Sequence, residues 1–144
     1  MELFQMPGHW IRRLHQQSTH IFLRRTLEAG YDITPVQFAA LEAIHHHPGA
    51  DQAQIAERIG YDRATIGGVI ERMEKKTWVL RSVSARDRRS RELSLSSEGE
   101  RIRVNLLPIV RGIQEEILMP LAPKHRVAFL KWAQELVVSE QDLP

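Results

Sequence analysis

Between Arg81 and Arg91 five arginines, at 81, 86, 88, 89 and 91, stand against a single acid, Asp87. The segment carries +4, whereas the whole chain of 144 residues carries a formal net charge of only +2. Such a local basic block on an otherwise balanced protein suits contact with a polyanion. Upstream of it, Arg63, Ala64, Thr65, Gly67, Gly68 and Arg72 fall on the exposed side of one expected helix. Small residues let a helix backbone sit deep in a major groove, while threonine and arginine can reach base edges or phosphates. Gln52 and Gln54, at the start of the preceding helix, are counted with this surface. At the basic segment Arg86, Arg88, Arg89 and Arg91 are expected to reach toward a narrow minor groove, where negative potential is strongest. Asp87 would repel phosphate unless it orients a neighbour, so it is expected to pair with Arg89 and hold that side chain extended.

A second cluster lies near the start of the chain: His9, Trp10, Arg12, Arg13 and His15. Arginine can hold a carboxylate through two parallel hydrogen bonds. Histidine can bond a hydroxyl or a ring nitrogen, and tryptophan can stack on an aromatic ring. The cluster therefore suits an aromatic carboxylate, with His9 and Arg13 as its main holders and Arg12 or His15 as substitutes. Salt bridges between subunits, or plain exposure, weigh equally. A third run, His45-His46-His47, points its side chains about 100° apart on a helix, whereas a helix-borne metal pair needs i, i+4 spacing. These histidines are better placed to end a helix, where cations suit the dipole. A histidine-dependent metalloenzyme is the least favoured reading. No phosphate-cradling loop, nucleophile elbow or triad spacing is present, and the chain has no cysteine. No catalytic residue, metal or cofactor is expected, and sensing falls to a small ligand rather than to thiol redox chemistry.

The elements that must position these residues follow from periodicity. A helix is expected from about His9 to Glu28, with Gly30 beyond it. Thr34-Pro35-Val36-Gln37 reads as a capping box opening a second helix that ends before Pro48-Gly49. A third runs from Asp51, boxed by Gln54, to Gly60, and a fourth from after Asp62 to about Lys76. Ile55, Ile59, Ile66 and Ile70 should form their shared core. Residues 79–83 and 91–95 then read as two strands joined by the arginine-rich turn. A long helix opens at Ser97, boxed by Glu100, should bend at Pro108 and ends at Pro120 and Pro123; a last helix carries Val127, Leu130, Ala133, Leu136 and Val137. The fold is expected to be mainly α with a small β-hairpin, in the order α-α-α-α-β-β-α-α: a winged helix-turn-helix over 34–96, flanked by dimerisation helices in 1–33 and 97–144. The terminal helices show more apolar surface than one small subunit can cover, which points to a homodimer. No apolar run could cross a bilayer and the N-terminus lacks a signal-peptide plan, so a cytoplasmic protein without membrane contact is expected. The partner is then double-stranded DNA, with a non-specific architectural DNA binder as the alternative.

The stretches ITPVQFAALEAI, QAQIAERIGYDRATIGGVIERMEKK and SARDRRSRELSLSSEGE resemble the multiple antibiotic resistance regulator (MarR) family. Asp87-Arg88-Arg89 and the Leu-Ser-Leu-Ser-Ser-Glu-Gly strand exit are the more specific parts. The resemblance implies a triangular homodimer bound to a palindromic operator, usually as a repressor, and released by a small ligand held between the two regions. The Pro-Gly-His-x-x-Arg-Arg start and the Asp-Arg-Ala-Thr-Ile-Gly helix are similar to a branch of the family linked to aromatic-acid catabolism. Two departures stand out. The family commonly has glycine where this chain has Thr77, and threonine in the left-handed conformation is strained, so the helix exit is expected to differ locally. Gly67-Gly68 costs roughly 1 kcal/mol per residue against alanine. Close approach to DNA, flexibility, or packing on a neighbouring helix would offset that cost.

Overall fold

A computed structural model of the chain describes residues 1–137. After a short 3-10 turn, Glu2–Gln5, come α1 (Pro7–Glu28), α2 (Pro35–His46), α3 (Gln52–Ile59), α4 (Arg63–Lys75), β1 (Val79–Val83), β2 (Arg91–Leu95), α5 (Ser97–Leu118) and α6 (Pro123–Leu136). The order is the one read from periodicity. The final residues of the expected C-terminal segment, 138–144, lie outside the described residues.

Local chemistry accounts for most boundaries. Thr34 and Asp51 each accept from the backbone three residues on, and Gln37 and Gln54 return the bond, so both capping boxes close. Gly60 ends α3 at φ 71°, a left-handed conformation that costs glycine nothing. α1 begins earlier than expected, at Pro7, because proline suits the first helical position. α5 departs from the sequence expectation: Ser96, not Ser97, is its cap, and Ser96 Oγ accepts from Gly99 N. Glu100 does not close a box; its carboxylate is drawn to Arg103 and His45 instead. The helix runs unbroken through Pro108.

The core lies between α2, α3, α4 and the hairpin and continues to α5, which packs on α1, α2 and β2. Ile55, Ile66, Ile70 and Leu41 are fully buried, Ile59 partly so, and Val69, Met73, Leu93 and Leu106 complete the layer. β1 and β2 pair antiparallel, with Val79 opposite Leu95 and Val83 opposite Arg91. Leu93 N donates to Ala50 O, which ties the hairpin to the α2–α3 link.

Two ion-pair hubs fasten α5. Arg103 is buried, yet its guanidinium reaches Glu42 on α2 at 2.9 Å and Glu100 on its own helix at 2.7 Å. His45 Nδ1 lies 3.0 Å from Glu100, and His46 approaches Glu42. Toward the other end, Glu116 binds both Arg24 and Arg25 of α1. α6 buries none of its residues: Val127 is 73% exposed and Trp132 60%. Phe4, Trp10, Ile11 and Leu14 are exposed as well, so large apolar side chains are uncovered at both ends of the chain.

Candidate nucleic-acid interface

The turn Gly60-Tyr61-Asp62 sets α4 across α3. Asp62 caps α4, accepting from Thr65 N at 2.8 Å and from Thr65 Oγ1 at 2.6 Å. The hydroxyl bond, then the amide bond, holds the Asp62 carboxyl below the usual aspartate range. Thr65 is exposed as expected, but its hydroxyl proton is committed to Asp62, leaving the oxygen as an acceptor. Arg63, Ala64 and Arg72 are exposed, and Gly67 and Gly68 are half-buried. The two glycines accommodate different neighbours. A Cβ on residue 67 would stand 3.0 Å from Gln52 Nε2, and one on residue 68 would stand 3.3 Å from Arg72 Nη1. Gly67 thus faces the neighbouring helix, and Gly68 leaves Arg72 room to lie back along α4.

Gln52 and Gln54 are only partly free. Gln54 Oε1 accepts from Asp51 N within the capping box, and Gln52 Oε1 accepts from Arg81 Nη2 at 3.0 Å.

The left-handed exit of α4 is not avoided. Thr77 adopts φ 61°, with Thr77 N donating to Glu74 O and Trp78 N to Met73 O. These are the two bonds that close a helix through a left-handed residue. The expectation of a locally different exit is therefore wrong, because the surroundings fix the strained conformation. Ser96 Oγ donates to Thr77 O at 2.5 Å, and Lys76 Nζ sits 4.5 Å from the Trp78 ring centroid.

The hairpin tip is ordered by short polar side chains. Ser84 is buried, and its Oγ accepts from Arg86 N and Asp87 N. Asp87 Oδ1 accepts from the backbone N of Arg89 at 2.9 Å. The expected Asp87–Arg89 ion pair is not formed: the carboxylate fixes the turn, not the guanidinium. The shorter reach explains why, since an aspartate meets the amide two residues on without ordering a long arginine. Arg86, Arg88 and Arg89 project into solvent, and Arg91 Nη1 donates to Arg88 O at 3.3 Å. Asp62 and Ser84 fix the local turns without appearing among the expected contacts, and Arg81, expected only as part of the basic block, is bonded to Glu74 and Gln52. Asp62 had a local signal, an aspartate three residues before threonine at a helix start; Arg81 had none.

The arrangement is an α3–turn–α4 unit with an arginine-tipped wing at its exit. The MarR family model matches residues 33–90, which take in α2, α3, α4, β1 and the wing tip as far as Ser90 and stop before β2. The transcriptional regulator HosA of Escherichia coli O157:H7 is 31% identical over 95% of this chain and 98% of its own length. This chain belongs to the MarR family. It is also 28% identical to the transcriptional repressor NicR of Pseudomonas putida, over 98% of this chain and 88% of that one. Among solved structures, the PcaV regulator of Streptomyces coelicolor, in complex with its natural ligand, superposes with a TM-score of 0.87 at 29% identity, covering 94% of each chain. The MarR-family chain is thus a DNA-binding transcriptional regulator and not an enzyme. Among the described residues no helix is long and apolar enough to cross a membrane.

The N-terminal cluster is brought together in part. His9 is half-buried, edge-on to Phe4 at 5.7 Å and to Trp10 at 5.1 Å between ring centroids. Its Nε2 is shielded from solvent and has no hydrogen-bond partner. Trp10 Nε1 donates to Phe4 O at 2.9 Å, folding the 3-10 turn back over α1. Arg12 bonds Gln16 at 3.1 Å and approaches His9 Nδ1 at 3.4 Å. Arg13 and His15 are exposed. A shallow, open groove lies elsewhere, lined by Ile44, His45, Pro48, Leu95 and Glu100. The histidine run ends α2 as expected, with His45 and His46 in its last turn and paired with Glu100 and Glu42.

Proposed function

We propose that this regulator is a ligand-responsive repressor that binds a palindromic operator in the cytoplasm as a homodimer and is released by a small aromatic carboxylate. The observation that carries the dimer is the set of uncovered apolar side chains on the 3-10 turn, α1 and α6, among them Phe4, Trp10, Leu130 and Trp132. Exposed apolar surface of this kind on a small chain marks an interaction site. Residues 1–33 and 97–144 form the dimerisation lobe, and residues 34–96 form the DNA-binding lobe. Arg63, Thr65 and Arg72 read the major groove, with Ala64 and Gly68 allowing close approach. The Arg86–Arg91 tip enters the flanking minor groove. Two half-sites in successive major grooves lie roughly 34 Å apart, so a small rotation of the lobes abolishes simultaneous docking.

The effector is held by His9 and Arg13, with Trp10, Arg12 and His15 beside them. The unpartnered His9 Nε2 supports this reading, because it offers a polar atom in an aromatic surround. So does the ligand complex of the similar PcaV structure. Release follows if the ligand favours a dimer whose recognition helices are wrongly spaced. Sedimentation of the purified protein, with titration of its own upstream DNA against scrambled DNA with and without benzoate, tests each part. A dimer with operator preference that benzoate lowers is expected. A monomer removes the dimer. Equal affinity for both DNAs with a steep salt slope replaces regulation by architectural binding. Operator affinity unmoved by benzoate-like acids removes the effector.

A further inference from the structure

Arg81 belongs by sequence to the basic wing, but its guanidinium is engaged by side chains of the neighbouring helices, unlike those of Arg86, Arg88 and Arg89 at the tip. It stands on β1, opposite Leu93, and its side chain is held from two sides. Its Nε donates to Glu74 on α4, and its Nη2 donates at 3.0 Å to Gln52 Oε1 at the start of α3. The other end of the same Gln52 amide lies over the Cα of Gly67. A single guanidinium therefore joins the wing strand to both helices of the DNA-binding unit, and a side chain at residue 67 would crowd the Gln52 end of the joint, since a Cβ there would stand 3.0 Å from Gln52 Nε2.

We infer that Arg81, Gln52, Glu74 and Gly67 form a strut that sets the angle between the wing and the recognition helix, making Arg81 a positioning residue and not a phosphate contact. The side chains of Arg81 and Glu74 are each only about a third exposed, and the joint lies midway along the wing ladder, where Arg81 stands opposite Leu93, and not at its tip. An arginine with its charge matched by a carboxylate has little left to release counterions from phosphate. Glycine in mid-helix is otherwise unfavourable, and here its lost Cβ is used by the Gln52 amide. The joint matters because recognition helix and wing read different grooves, and a rigid link between them makes their two contacts cooperative. This inference rests on DNA binding by α4 and the wing.

Gly67→Ala tests it, because alanine should leave the fold as stable or more so while pushing the Gln52 amide aside. Expected is a loss of operator affinity of about three- to tenfold, with no fall in Tm, in the wild-type background. In the Gln52→Ala background the same substitution should cost nothing further. An equal loss in both backgrounds means that Gly67 serves DNA approach directly, and overturns the strut. For Arg81→Gln, the strut requires a lower affinity with the wild-type dependence on salt. A slope flattened by about one unit identifies a phosphate contact and overturns it. The DNA-free protein gives a separate reading. The Arg81 Nε–H resonance should be protected in the wild type and averaged in Glu74→Gln. Averaging in the wild type sinks the strut whether or not the protein prefers its operator, whereas a protected resonance with no operator preference sinks only the regulatory reading.

Discussion

Replacing Gly99 by alanine puts a methyl group where a backbone carbonyl already stands. Gly99 is buried in the first turn of α5, and an ideal Cβ there would lie 2.1 Å from Trp78 O and 2.9 Å from Trp78 C. Ordinary contact begins near 3.4 Å, so helix and carbonyl must part by more than 1 Å. That carbonyl cannot move cheaply. It accepts from Ser96 N at 3.0 Å, it follows Thr77 in its left-handed conformation, and the next residue begins β1. Overpacking and one lost hydrogen bond cost about 2–4 kcal/mol. Alanine's better helix propensity returns at most about 1 kcal/mol. The net loss of about 1–3 kcal/mol corresponds to a fall in Tm of roughly 3–12 °C for a chain of this size. Thermal and urea unfolding of Gly99→Ala beside the wild type measure it, and Gly99→Ser should behave alike because the clash is at Cβ. An unchanged or raised Tm for both variants would show that the wing base and α5 are loosely joined, and the steric account would fail.

Thr77→Gly should stabilise the protein by about 0.5–1 kcal/mol, since relief of left-handed strain outweighs glycine's greater freedom in the unfolded chain; a lower urea midpoint would contradict this. Hydrogen bonds from Arg103, and less strongly from His45, hold the Glu100 carboxyl below the usual glutamate range. A depressed carboxyl contributes stability that is present above its unfolded value and is lost as pH falls through the folded one. The wild type should therefore lose stability as pH drops below about 4.5, and Glu100→Gln should lose less over that interval; parallel acid profiles would refute the linkage. Asp87→Ala removes a negative charge from the wing, yet it should weaken operator binding because the turn loses its bond to Arg89 N. Tighter binding at every salt concentration would restore simple repulsion as the role of Asp87.

The elements were legible because their signals are local. Thr34 with Gln37, Asp51 with Gln54, and the switch from helical to alternating period at Val79 each lie within a few residues, and each is realised. Ser96 and Ser97 show where local signals stop. The pattern favours Ser97 with Glu100, but Arg103 and His45 compete for that carboxylate, and the cap passes to Ser96. At the wing, sequence places an acid beside arginines but cannot tell a backbone amide from a guanidinium as its partner. Arg81 was read only as charge, because Gln52 lies 29 positions away and no periodicity links them. The basic surface proposed to face DNA is thus visible as composition, while its internal bracing depends on contacts between elements.

The uncovered apolar side chains of α1 and α6 also bear on the fate of a newly made chain. Within the proposed dimer, a subunit that has not met its copy exposes Trp132, Leu130, Ile11 and Phe4 to anything nearby. Folding and pairing then become one concentration-dependent equilibrium, in which dilution alone lowers the apparent melting point. Scarcity would leave operators vacant and also expose the remaining chains to aggregation and proteolysis. The abundance of such a regulator would fall more steeply than its rate of synthesis.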